Sequence, residues 1–260
     1  MTQDVRLFLI NWFDQYVNRY RNASRALPAA LELKYAHSLR VSDNAHLIAC
    51  GLALPKEEVI LAEGCGRLHD IGRFPQYEYY GSFSDADTMG HGTAGRRTME
   101  AEGLPERIDS GDWACIACAV EYHNRKTGDI PADLPADAQR LLKIIRDADK
   151  LDIMDLALQS IIRDGFLELP DMLPHIRLSR ELTPDIIEEM RKGKSISISN
   201  LRTLADFLVM LASWFYDLNY APTGRLALSR NILQRLEQEL PDHRLVRNML
   251  EDIKTTLTKR

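Results

Sequence analysis

Apolar positions recur at helical spacing along almost the whole chain. In residues 4–21, Val5, Phe8, Leu9, Trp12, Phe13, Tyr16 and Val17 make one stripe, the signature of an amphipathic helix. Pro28 can open a second helix over about 28–52, with His37, Val41, Ala45 and Ile48 on one face. Lys56-Glu57-Glu58 after Pro55 gives a third helix an acidic first turn. That helix ends at His69-Asp70, with Leu61, Cys65 and His69 in line. Helices are expected over 91–103 and over about 111–123, the latter with Trp113, Ile116, Val120 and His123 on one face. A long helix follows in which Leu141, Ile145 and Asp149 lie four residues apart. Strand-like alternation is confined to 195–199 and reads as a loop.

Between these elements, residues 73–90 read as a loop of functional length. Its first half is aromatic and non-periodic, and its second half, Ser84-Asp85-Ala86-Asp87, is polar. Tyr77, Tyr79 and Tyr80 either wall a substrate pocket or cover the core. A second loop spans 128–135. Residues 166–200 are interrupted by prolines, with one short helix over 184–192 that Thr183 can cap before Pro184. The run 201–219 is strongly apolar, and amphipathic helices over about 224–239 and 243–258 complete the chain. The pattern predicts a single all-α domain over 1–260, with a core at about 30–155 and a C-terminal helical extension at about 166–260.

Composition adds exclusions. A chain of 260 residues with 45% apolar and 27% charged residues is ordinary for a globular protein. A net charge of −5 leaves no global basic footprint, so nucleic acid is not an expected partner. No apolar run approaches the roughly 20 residues of a spanning helix, and no membrane partner is expected. Met1-Thr2-Gln3-Asp4 lacks the layout of a signal peptide, so the expected compartment is the cytoplasm. Cys50, Cys65, Cys115 and Cys118 do not make a disulfide framework in a chain this long. Cys115 and Cys118 sit one turn apart inside an apolar helical run and read as packing residues rather than a zinc or redox pair.

Candidate chemistry changes the picture more. Gly66-Arg67-Leu68-His69-Asp70-Ile71-Gly72-Arg73 sets two metal-ligand side chains next to each other at a helix end. His37, His91, His123 and Asp149 lie on other expected helices, all but His91 in line with apolar residues. A carboxylate on such a face needs a partner or a metal, and one shared cation satisfies several such groups at once. His46, His175 and His243 match no pattern and read as surface or core residues. Asp147 and Asp152, which flank Asp149, are expected to lie off its face.

Three segments carry a resemblance: Tyr35-Ala36-His37-Ser38-Leu39-Arg40-Val41, Leu68-His69-Asp70-Ile71-Gly72-Arg73 and Arg146-Asp147-Ala148-Asp149-Lys150-Leu151-Asp152. In order and spacing they resemble the HD superfamily of metal-dependent phosphohydrolases, over about residues 30–155. Gly90-His91-Gly92-Thr93-Ala94-Gly95 and Glu121-Tyr122-His123-Asn124 are similar to the additional histidine motifs of members that hold two metals. The chain departs from the cyclic-dinucleotide phosphodiesterases of the group: it has Tyr122 and Asn124 where they carry His and Glu, and it lacks their Gly-Tyr-Pro signature. The resemblance implies an all-α HD-domain helical bundle with additional C-terminal helices. It implies two divalent metal ions, drawn from Mn, Fe, Co, Mg or Zn. One would be held by His37, His69, Asp70 and Asp149, the other by His91 and His123, with Asp70 bridging. It implies hydrolysis of a small phosphorylated metabolite or nucleotide by a metal-activated hydroxide, with Arg73 and Lys150 as candidate phosphate contacts. Two other readings stay open: an HD-fold diiron oxygenase, and a non-catalytic nucleotide-binding module that signals through its C-terminal helices.

Overall fold

A computed structural model describes residues 3–85, 88–167, 169, 173, 175–193 and 195–259. Ala86 and Asp87 of the expected polar loop, and part of the proline-interrupted stretch, lie outside the described residues. Among the described residues all regular structure is helical, apart from one isolated bridge between Arg177 and Thr203. The chain is all-α. It divides into two compact units, residues 1–152 and 153–260.

In the first unit, α1 (Gln3–Asn18) buries Leu9, Trp12, Phe13, Tyr16 and Val17, the stripe read from the sequence. α2 (Ala29–Gly51) follows Pro28 and α3 (Lys56–Leu68) follows Pro55. α2 and α3 pack closely on each other, and α1 packs on α3. Gly66 permits the α2–α3 approach: a Cβ there would stand 2.9 Å from both Ser42 Cα and the Val41 carbonyl oxygen.

The expected loop at 73–90 is half helix, α4 (Arg73–Tyr80). Pro75 sits in its first turn, where a missing N–H removes no helical hydrogen bond. Gly81, at φ +62°, ends it in the left-handed conformation. Phe74 is fully buried, whereas Tyr79 and Tyr80 are exposed, so those two tyrosines do not cover the core. α5 (His91–Ala101) pairs with α6 (Ser110–Tyr122), whose N-cap Asp109 accepts from the Gly111 and Asp112 amides. Cys118 is buried in α6 and Cys115 is partly buried, both as free thiols. α7 (Ala136–Asp164) is the long helix.

The second unit contains α8 (Pro184–Lys192), α9 (Leu204–Ser213), α10 (Ala221–Ser229), α11 (Ile232–Glu239) and α12 (Arg244–Lys259). α9 is buried along its whole length and packs on α11 and α12. It opens with a capping box between Thr203 and Asp206. Thr183 precedes α8 but makes no side-chain cap bond. Its hydroxyl donates to Asp206 instead. The helix expected over 224–239 is broken in two at Asn231, which adopts φ +55°, a conformation Asn tolerates better than most residues.

Candidate metal centre

Five helix termini or faces of the first unit converge on one polar cluster. His37 projects from the middle of α2. His69 and Asp70 follow the last residue of α3, where the chain turns before α4. There, adjacent residues can reach one centre, which mid-helix geometry would prevent. His91 opens α5, His123 closes α6, and Asp149 projects from α7. Gly72 lets the chain pass close to α5: a Cβ there would stand 2.2 Å from the His91 carbonyl oxygen.

All four histidines are buried, and each is oriented through Nδ1. His69 Nδ1 donates to the Gly66 carbonyl and His123 Nδ1 to the Val120 carbonyl, both at 2.7 Å. His37 Nδ1 faces Asp152 Oδ2 and His91 Nδ1 faces Asp85 Oδ2, both at 2.6 Å. Carbonyl and carboxylate oxygens only accept, so each Nδ1 carries its proton. In the neutral ring Nε2 is then a bare lone pair, and the four Nε2 atoms point inward. His37 and His69 Nε2 are 3.2 Å apart, and His91 and His123 Nε2 are 3.0 Å apart.

Asp70 lies between the two pairs. Its Oδ2 is 3.8 Å from Nε2 of both His37 and His69, while its Oδ1 is 3.3 Å from His91 Nε2 and 3.7 Å from His123 Nε2. Asp149 Oδ1 joins the first pair, 3.1 Å from His37 Nε2 and 3.8 Å from His69 Nε2. Three overlapping sets have ligand atoms all within 4.8 Å of one another: His37, His69 and Asp70; His69, His123 and Asp149; Asp70, His91 and His123. Each set could hold a metal ion.

The charges are arranged accordingly. Burial would push Asp70 up, but Lys34 and the surrounding imidazoles hold it well below the ordinary carboxylate value. Burial pulls His69 down to about 3 and His91 to about 4, which keeps both neutral near pH 7. Burial pulls on His37 too, but its hydrogen bonds to Asp149 and Asp152 raise it to about 9. A proton on Nε2 serves the contacts to His69 and Asp149.

The family model of the HD domain matches residues 35–154. That span contains all six clustered residues. Over those residues the chain is similar to the HD domain. No curated protein and no solved structure matches the chain.

Two further expected residues, Arg73 and Lys150, lie within that span. Arg73 Nε is 3.6 Å from Asp70 Oδ1, but its Nη1 donates to Gln76 Oε1, the Phe83 carbonyl and Asp85 Oδ1. Lys150 follows Asp149 on α7 and is half-buried. His46 bonds Glu63, His243 Nδ1 accepts from the Leu245 amide, and His175 is exposed.

Three residues at the centre escaped the sequence reading. Asp152, set aside as lying off the Asp149 face, is buried and bonds His37 and the Arg40 guanidinium. It sits three residues after Asp149, a spacing that shares a helix face. Lys34 stands in the same relation to His37, and its Nζ donates to Asp70 Oδ2 at 2.9 Å. Asp85 accepts from His91, Arg73, Gln76 and Asn124, and no periodicity announces it.

Proposed function

We propose that this protein is a metal-dependent phosphohydrolase acting on a small phosphorylated metabolite or nucleotide. His37, His69, Asp70 and Asp149 would hold one divalent cation, and Asp70, His91 and His123 a second. The observation that carries the reading is the pair of inward-facing Nε2 clusters, each set against a different oxygen of Asp70. The His91 and His123 Nε2 atoms lie 3.0 Å apart, and a cation beside them would take both as ligands. Imidazole with carboxylate is a donor set for Mn, Fe, Co or Zn.

Bound divalent cations supply a hydroxide at neutral pH and positive charge for the phosphoryl oxygens. The chain's own work is orientation. Asp152 and Asp85 fix the His37 and His91 rings through Nδ1, as carboxylates behind ligating histidines do. The Gly66 and Val120 carbonyls do the same for His69 and His123. Arg73 and Lys150 are the cations assigned to the phosphate. Arg73 has a buried Nε without a hydrogen-bond partner, close to Asp70.

The test is metal analysis of protein purified without added metal, then a panel of phosphate esters and nucleotides assayed with Mn, Co, Mg and Fe. Release of phosphate or pyrophosphate that depends on metal is expected. Bound iron with oxygen consumption and no phosphate release would overturn the hydrolase reading in favour of the oxygenase.

A further inference from the structure

A cation stands where the proposed chemistry needs one, at a position no motif marks. Lys34 lies on α2, one helical turn before His37, and its ammonium donates to Asp70 Oδ2 at 2.9 Å. That oxygen faces Nε2 of His37 and His69, each at 3.8 Å. The ammonium also lies 5.6 Å from the centre of the Phe83 ring, on which the Arg73 guanidinium packs at 5.7 Å. The Lys34 side chain is 24% exposed against 4% for Asp70, so the lysine is the member of the pair that reaches solvent.

The ion pair and metal binding compete for one oxygen. Coordination through Asp70 Oδ2 draws off the negative charge that holds the ammonium, and a divalent cation beside it repels it. The Phe83 face keeps the ammonium near the centre through its ring quadrupole. A displaced ammonium at the rim, next to a dinuclear site, favours an anion. Lysine binds phosphate as a compact point charge with three donors.

We propose that Lys34 pairs with Asp70 while the site lacks metal and turns to the substrate's phosphate when metal enters. The inference rests on the phosphohydrolase reading and deepens it: Lys34 becomes a substrate-positioning residue.

Two measurements test it on the full chain, with Lys34→Met and Lys34→Arg compared with wild type and circular dichroism checking the fold. The first is Mn2+ affinity of the metal-free protein, by competition with a chromophoric chelator. The second is binding of inorganic phosphate to the Mn2+-loaded protein, by calorimetry. Lys34→Met should bind Mn2+ several-fold more tightly, because the competing ammonium is gone, and should bind phosphate about tenfold or more weakly, the scale of one charge-assisted contact. Lys34→Arg keeps the charge and should stay within about threefold of wild type for phosphate. Equal phosphate affinity in wild type and Lys34→Met would overturn the role of Lys34 alone. A wild type that takes up Mn2+ but no phosphate would overturn the phosphohydrolase reading, and this inference with it.

Discussion

His91 Nε2 lies 3.0 Å from His123 Nε2 although each ring already spends its Nδ1 proton elsewhere, on Asp85 and on the Val120 carbonyl. Burial holds His91 near 4, so at neutral pH its Nε2 has no proton to offer. Its lone pair can only accept across this contact, and a shared cation would take it as a ligand directly. His123→Ala should therefore abolish binding of one metal equivalent while leaving the His37–His69 side filled and the helices intact. Metal analysis of the purified variant decides it: two equivalents retained per chain would remove the dinuclear assignment. Asp70→Ala, which deletes both oxygens, should cost both equivalents.

The carboxylate behind His91 gives a separable prediction. Asp85 bonds His91 Nδ1 at 2.6 Å and ties it to Arg73, Gln76 and Asn124. Removing such a partner behind a ligating histidine typically weakens metal binding about 10–100-fold. Asp85→Ala should weaken the His91–His123 metal by that order and leave the His37–His69 metal nearly unchanged. Stepwise metal titration reads the two separately. Equal weakening of both would show that Asp85 acts on the fold of the connector rather than on His91.

A third prediction concerns stability away from the centre. Glu63 on α3 is nearly buried; both its oxygens accept from Arg6 Nε at 2.9 Å, and one faces His46. Burial raises its carboxyl, but the Arg6 bonds more than offset this and hold it below the ordinary 4.5. A carboxyl depressed on folding contributes stability that is complete above the unfolded value and is lost as pH falls through the folded one. Glu63→Gln should thus lower stability by about 1 kcal/mol at pH 7, discounted because Arg6 is partly exposed. The gap in Tm between variant and wild type should close below pH 4.5. A gap that stays constant to pH 3 would mean that packing, not charge, is what Glu63 supplies.

The parts of this protein that could be read from its sequence were those written in local spacing. The α1 stripe, the prolines before α2 and α3, and the His and Asp residues on successive helices each leave a periodic or motif signal, and the structure gathers His37, His69, Asp70, His91, His123 and Asp149 into one cluster. Lys34 and Asp152 were equally legible, since each lies three residues from a clustered residue on its own helix. Asp85 was not: it sits on an irregular connector, and its reach to His91, six residues on, follows no helical spacing. α4 was hidden by Pro75, which looks like a breaker but stands in a first turn. The break at Asn231 was hidden because amphipathic spacing continues through it.

The last prediction concerns Arg73. Phosphoryl transfer asks the protein mainly for cations placed on the equatorial oxygens. Arg73 lies three residues after Asp70 and is largely buried, with Nε 3.6 Å from Asp70 Oδ1. Its Nη1 is already bonded to Gln76, the Phe83 carbonyl and Asp85. The guanidinium is therefore fixed in place before substrate arrives, which reduces the entropy a phosphate contact would cost. A lysine there keeps one charge but cannot both hold that anchor and present a planar fork. Arg73→Lys should retain metal and fold and lose about tenfold or more in kcat/KM, about 1.4 kcal/mol per decade. Asp85 keeps its bonds from Gln76 and Asn124 in the variant, so the His91 side should still fill. Loss of that metal in Arg73→Lys would identify the arginine as a strut for Asp85. Unchanged kcat/KM in both Arg73→Lys and Arg73→Ala would take it out of the site and leave Lys34 and Lys150 to meet the phosphate.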